Sequence, residues 1–230
     1  MALPNQYSFQ NGAVPAALLS DMDGLLLDTE QVSKRTFDDL GRDYGLTNGG
    51  DIFPRLIGRN KAAHLDIFAS MLPSGVDPHT FNADWMQRYL TVLDDNVPVK
   101  KGAVDFLTCC LSHGMPMAVV TSSETAKAED FLTRAGLRGF FDAVIGGDQV
   151  EKGKPHPDIY RHAAASLSHP ITDCLALEDS HNGVLSAYHA GAKVIQIPDL
   201  VPQDDDLAAL NIPSLPSLSD VPGYLGWPMS

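Results

Sequence analysis

A chain of 230 residues, 44% hydrophobic and 20% charged, has enough apolar material to fold unaided as one domain, or as a core with an inserted subdomain. Its formal net charge of −13 at pH 7, with no basic cluster, argues against a nucleic-acid partner, because such binding depends on Lys and Arg displacing counterions from phosphates. Three cysteines without zinc-ligand spacing, no signal-peptide pattern in residues 1–14 and no apolar run of about 18 residues point to a cytoplasmic protein with no membrane partner.

In chain order, residues 1–15 read as an N-terminal extension. Residues 16–19 form the first apolar run ending in polar residues, and 117–120, 143–145, 175–177 and 194–197 repeat it, as buried strands do. Helical patterns fill most of the intervals: 103–112, 123–135 stopped by Gly136, 155–167, and 180–190 stopped by Gly191. The interval after the first strand differs. Its segments 30–44, 60–71 and 78–93 all have helical character, punctuated by Asn48-Gly49-Gly50, Pro73-Ser74-Gly75 and Pro98. About 70 residues is far more than a crossover needs. The expected architecture is an α/β fold, a Rossmann-like parallel sheet core over 16–29 and 99–230, with an all-helical cap over 30–98 inserted in it. Residues 213–230, rich in Pro, Ser and Leu, read as an irregular tail.

Four polar clusters stand at carboxyl ends of expected strands, where open α/β sheets bind ligands. They are Asp21-Met22-Asp23-Gly24, Thr121-Ser122-Ser123, Lys154 in Gly153-Lys154-Pro155, and Glu178-Asp179-Ser180. Carboxylates converging on one point repel one another unless a cation sits among them, and a hard divalent ion with oxygen ligands meets that need. Magnesium held this way keeps places for waters and a substrate phosphate. Lys154 then neutralises charge on the phosphate or on a carboxylate nucleophile, while Thr121, Ser122 and backbone N–H groups hold phosphate oxygens.

Each cluster alone has a plainer reading. A calcium loop counted from Asp21 fails, because its fifth and twelfth positions are Leu25 and Val32. Thr121 with Glu124 also fits a capping box, Lys154 fits a solvated loop, and Glu178-Asp179 fits first-turn acids facing a helix dipole. Cys109-Cys110 reads as core filling. His64, His113, His156 and His189 lack metal spacing and read as surface or packing residues. Only the joint occurrence of the four clusters in this order favours chemistry over these alternatives.

The stretch from Asp21 to Glu30 (Asp-Met-Asp-Gly-Leu-Leu-Leu-Asp-Thr-Glu), Thr121-Ser122, Gly153-Lys154-Pro155 and Glu178-Asp179-Ser180 resemble the four motifs of haloacid-dehalogenase-like hydrolases. The likeness is strongest to the subgroup of β-phosphoglucomutase and small sugar-phosphate or pseudouridine-5'-phosphate phosphatases. The resemblance implies a phosphoric monoester hydrolase acting on a small phosphate ester. In it Asp21 becomes an aspartyl-phosphate, and Asp23 protonates the leaving oxygen and then activates water. It implies Mg2+ held by Asp21, the Asp23 backbone carbonyl and Asp179, with Glu178 a direct or water-mediated ligand. Ser20 departs from the usual apolar residue before the nucleophile. Ser33 stands where the subgroup's mutases resemble one another in carrying His, which favours a phosphatase over the alternative phosphomutase. A dehalogenase is disfavoured by the acid at Asp23, and a phospho-acceptor signalling module by the helical insert. Arg59, in Gly58-Arg59-Asn60, falls where family members place a substrate-binding loop and is expected to contact the leaving group. The expected oligomeric state is a monomer or weak homodimer.

Overall fold

The structure, a computed structural model, describes residues 14–47, 49–57 and 61–227. Five parallel strands form its sheet: β1 (Ala17–Ser20), β2 (Met117–Val120), β3 (Ala143–Ile145), β4 (Cys174–Glu178) and β5 (Lys193–Gln196), in the order β3-β2-β1-β4-β5. Every residue of β1, β2 and β4 is buried, as expected of inner strands covered on both faces. Alternation assigns the faces. Leu18, Val119, Leu175 and Leu177 join one hydrophobic cluster, while Ala17, Leu19, Ala118 and Ala176 join the other. The register sets Ser20 beside both Val119 and Leu177, so β1, β2 and β4 end side by side.

Ten α-helices are assigned among the described residues: α1 (Thr29–Asp43), α2 (Gly49–Ile52), α3 (Lys61–Met71), α4 (Pro78–Asp95), α5 (Ala103–Ser112), α6 (Thr125–Arg134), α7 (Asp158–Ser166), α8 (His181–Ala190), α9 (Asp205–Ala209) and α10 (Val221–Leu225). Phe106 of α5 and Phe131 of α6 cover one sheet face, and Tyr160 of α7 and Val184 of α8 the other. Helices α1 to α4 form the helical insert and carry a third core of their own. Phe37 is its hub, with ring centroids 5.5 Å from Phe53, 5.7 Å from Phe81 and 5.2 Å from Trp85. The two strands of chain that join insert to sheet lie together: Leu27 bridges Val99 antiparallel, and Asp28 N–H donates to Pro98 O at 2.8 Å.

Three expectations are corrected. The 123–135 helix starts at Thr125, because Asp148 Oδ1 accepts from Thr125 N–H (2.8 Å) and Oγ1 (2.7 Å) and so terminates the helix from another loop. The 155–167 helix starts at Asp158, after a turn in which His156 N–H donates to Gly153 O at 3.0 Å. The tail is not irregular throughout: Val221 and Leu225 of α10, and Trp227 beyond it, are buried in the main core. The bulk of the extension expected over 1–15 lies outside the described residues.

Candidate active site

Side-by-side strand ends deliver the four clusters to one place. Asp21 follows β1 directly, and its N–H donates to Leu177 O of β4 at 3.0 Å, fixing it beside the end of that strand. Ser20, where an apolar residue is usual, is buried and donates its hydroxyl to Asp21 O at 2.9 Å. The chain then turns at Gly24, whose φ is +85°. A Cβ there would meet Asp179 Oδ2 at 2.3 Å, so glycine is required both for the turn and for the approach of Asp179.

Lys154 is not a solvated loop lysine. Its side chain is 4% exposed, and Nζ donates to Asp21 Oδ1 (2.6 Å), Glu178 Oε1 (2.5 Å) and Val120 O (2.9 Å). Glu178 is fully buried and also accepts from the Tyr160 hydroxyl at 2.6 Å. Asp23 lines the same cleft, accepting from Thr29 Oγ1 (2.7 Å) and Ser123 Oγ (3.1 Å), with Thr121 Oγ1 at 3.5 Å. The capping-box alternative for Thr121 fails: its Oγ1 accepts from Ser123 N–H at 3.1 Å, four residues ahead of α6. Ser122 is exposed and lines the cleft, so Ser123, not Ser122, reaches Asp23. Arg59 lies outside the described residues.

Asp21, Glu178 and Asp179 each offer a carboxylate oxygen, all within 4.8 Å of one another. Burial raises Asp21 well above the ordinary carboxylate range; Lys154 opposes this and Glu178 and Asp23 add to it. Asp179 is raised likewise, by burial and then by Asp21 and Glu178. Burial works against the Lys154 ammonium, yet Asp21 and Glu178 outweigh it and raise its pKa. Three buried carboxylates against one ammonium leave negative charge uncompensated, and their hard oxygen donors fit a divalent ion such as magnesium. No histidine or cysteine belongs to this group among the described residues. The insert supplies the opposite wall of the cleft, about 1050 Å3 in volume, with Ser33, Ile57, His64, Met86 and Tyr89 facing the clusters.

Several site residues escape sequence reasoning. Thr29 and Glu30 lie inside the first motif without an assigned role, and burial, then Asp23 and Asp199, push the Glu30 carboxyl up to about 7. Tyr160 and Gly183 lie on helices whose patterns report only packing. A Cβ on Gly183 would lie 2.0 Å from the Glu178 carboxyl carbon.

A family model described as haloacid dehalogenase-like hydrolase matches residues 18–197. The fructose-1-phosphate phosphatase YqaB of Escherichia coli (strain K12) is 32% identical over 183 residues, 79% of this chain and 96% of its own length. The bifunctional riboflavin kinase/FMN phosphatase of Arabidopsis thaliana is 32% identical over 82% of this chain, which spans only 50% of that protein. The crystal structure of a HAD family hydrolase from Deinococcus radiodurans R1, with bound phosphate and sodium, matches with a TM-score of 0.79 at 26% identity. The match covers 92% of this chain and 95% of that one. With its parallel sheet, helical insert and four clusters at the strand ends, the chain belongs to the haloacid dehalogenase-like hydrolase family.

Proposed function

We propose that the protein is a magnesium-dependent phosphatase of small phosphomonoesters, sugar phosphates or similar metabolites, working through an aspartyl-phosphate on Asp21. The observation that carries this is that two carboxylates with different hydrogen-bond partners line one cleft. Asp21 accepts from Lys154 beside the buried acids, and Asp23 accepts from Thr29 and Ser123. In the first half-reaction an Asp21 oxygen bonds to phosphorus, the bond to the leaving oxygen breaks, and Asp23 gives that oxygen its proton. In the second, Asp23 takes a proton from water, the water oxygen bonds to phosphorus, and the bond to Asp21 breaks.

Lys154 neutralises charge on Asp21 and on the phosphoryl oxygens, and Thr121, Ser122 and nearby backbone N–H groups hold those oxygens. Asp21, the Asp23 carbonyl and Asp179, with Glu178 directly or through water, would hold magnesium, which would neutralise the developing charge. The insert, with boundaries at 30 and 98, acts as a cap that selects the leaving group, with Arg59 in contact with it. Ser33 on the cleft wall lacks the imidazole of the subgroup's mutases, which favours transfer to water over the phosphomutase alternative. Among the described residues no helix is long and apolar enough to cross a membrane. The enzyme is proposed to be cytoplasmic and monomeric or weakly dimeric.

The test is a phosphate-release screen over sugar phosphates, polyol phosphates, nucleotides and p-nitrophenyl phosphate, with magnesium and with excess chelator. Magnesium-dependent release is expected. No release across the panel, or full release in chelator, overturns the reading.

A further inference from the structure

Beside the carboxylate cluster the cleft adjoins a second cavity of about 270 Å3, between residues 54–57 of the insert and the loop after β5, and Glu30, Asp179 and Ser180 line both. Two buried acceptors on the wall of this annex have no donor: Gln196 Oε1 and Asp199 Oδ2. Gln196 is 2% exposed and the Asp199 side chain 6%. Neither orientation is arbitrary. Gln196 Nε2 donates to Asp179 O at 3.0 Å, and since a carbonyl can only accept, the amide oxygen must turn the other way. Lys100 Nζ donates to Asp199 Oδ1 at 2.6 Å, which leaves Oδ2 without a hydrogen-bond partner. Buried acceptors are nearly always paired, so two orphans beside one cavity point to donors brought by water or a ligand.

We infer that Gln196 and Asp199 are positioning residues for the divalent ion, accepting hydrogen bonds from the waters it keeps when bound at Asp21, the Asp23 carbonyl and Asp179. The inference rests on the magnesium reading above. Magnesium gives up water reluctantly and is held by one or two carboxylates with several waters, and each of those waters needs acceptors beyond the ion. Asp179 belongs both to the carboxylate cluster and to the annex wall, and Gln196 is bonded to its carbonyl. A separate cation in the annex is less suited, because Asp199 already shares its charge with Lys100 and Asp204 with His181.

Calorimetric titration of Mg2+ into chelator-stripped protein tests this without reference to turnover. In Asp199→Asn, Lys100 holds the amide oxygen on its own side, so an N–H2 donor takes the place of Oδ2 and faces donors. The Kd for Mg2+ is expected to rise by about 10–100-fold, as for loss of an outer-shell partner, with native circular dichroism. Asp204→Asn is the control. It removes the same charge from the same annex, at a residue whose oxygens already accept from Leu207 N–H and pair with His181, and its Kd is expected to stay at the wild-type value. Gln196→Met, which removes the second acceptor, is expected to weaken binding in the same direction. Wild-type affinity in Asp199→Asn or Gln196→Met, or equal weakening in Asp199→Asn and Asp204→Asn, overturns the inference while leaving the magnesium reading intact. Absence of magnesium binding by the wild-type protein sinks both.

Discussion

Gly183→Ala tests how tightly the buried acid at the heart of the site is held. Alanine in place of a helical glycine ordinarily stabilises by about 0.5–1 kcal/mol. Here the added Cβ would lie 2.0 Å from the Glu178 carboxyl carbon and Oε2. Ordinary contact at 3.4 Å requires that group to retreat by about 1.4 Å, or helix α8 to shift. The carboxylate is the end of a flexible side chain, but it is not free to swing: it is fully buried between Lys154 at 2.5 Å and the Tyr160 hydroxyl at 2.6 Å. Retreat breaks one or two charge-assisted hydrogen bonds, at about 1.5–3 kcal/mol each. After the propensity gain the net loss is about 0.5–5.5 kcal/mol, or roughly 1–20 °C in Tm for a chain of this size. Phosphatase kcat is expected to fall on the order of 100-fold, since Lys154 is displaced with its partner. Thermal unfolding in chelator and phosphate release measure the two effects, with Gly139→Ala, whose Cβ meets nothing within 4 Å, as control. A Tm at or above wild type with full activity in Gly183→Ala refutes the reasoning.

Asp23→Asn is expected to form phosphoenzyme from an ester whose leaving group needs no proton, yet to hydrolyse it slowly; unchanged turnover of unactivated sugar phosphates would remove Asp23 from the acid/base role. In the metal-free protein burial raises Asp21 and Asp179 above their ordinary value of 3.8. A raised acid stabilises the fold below its unfolded pKa and loses that contribution as pH rises through its folded value. Magnesium offsets that loss, so its increment in Tm is expected to be larger at about pH 8 than at about pH 5, and equal increments contradict this. Arg59→Ala is expected to lower kcat/KM for the preferred ester by roughly ten- to a thousandfold, with p-nitrophenyl phosphate nearly unaffected; equal loss on both substrates moves Arg59 to the phosphoryl site or to cap stability.

Much of the fold was legible because buried parallel strands are short, apolar and bounded. The runs at 117–120 and 143–145 are β2 and β3 themselves, and α8 carries both its signals, Ser180 accepting from Gly183 N–H and Gly191 closing at φ +98°. Local rules failed where a distant group intervened. Thr121 and Glu124 have capping-box spacing, but Asp148 from another loop sets the start of α6. The site divides in the same way. Asp21, Asp23, Lys154 and Asp179 stand in recognisable short motifs, whereas Tyr160 reaches Glu178 across 18 residues and Gln196 reaches Asp179 across 17. Their patterns announce only a buried helix face and a strand end.

The central claim is that Asp21 carries the phosphoryl group in turnover, and acid-quench trapping addresses it most directly. Wild-type protein mixed with magnesium and a substrate identified in the screen, quenched within a turnover and digested, is expected to yield a phosphorylated peptide whose modified residue is Asp21. The label should be lost on treatment with hydroxylamine, as an acyl phosphate is, and should be absent in Asp21→Asn. Turnover with no trapped label, or a stable label on Ser122, Ser123 or Thr121, would contradict the account.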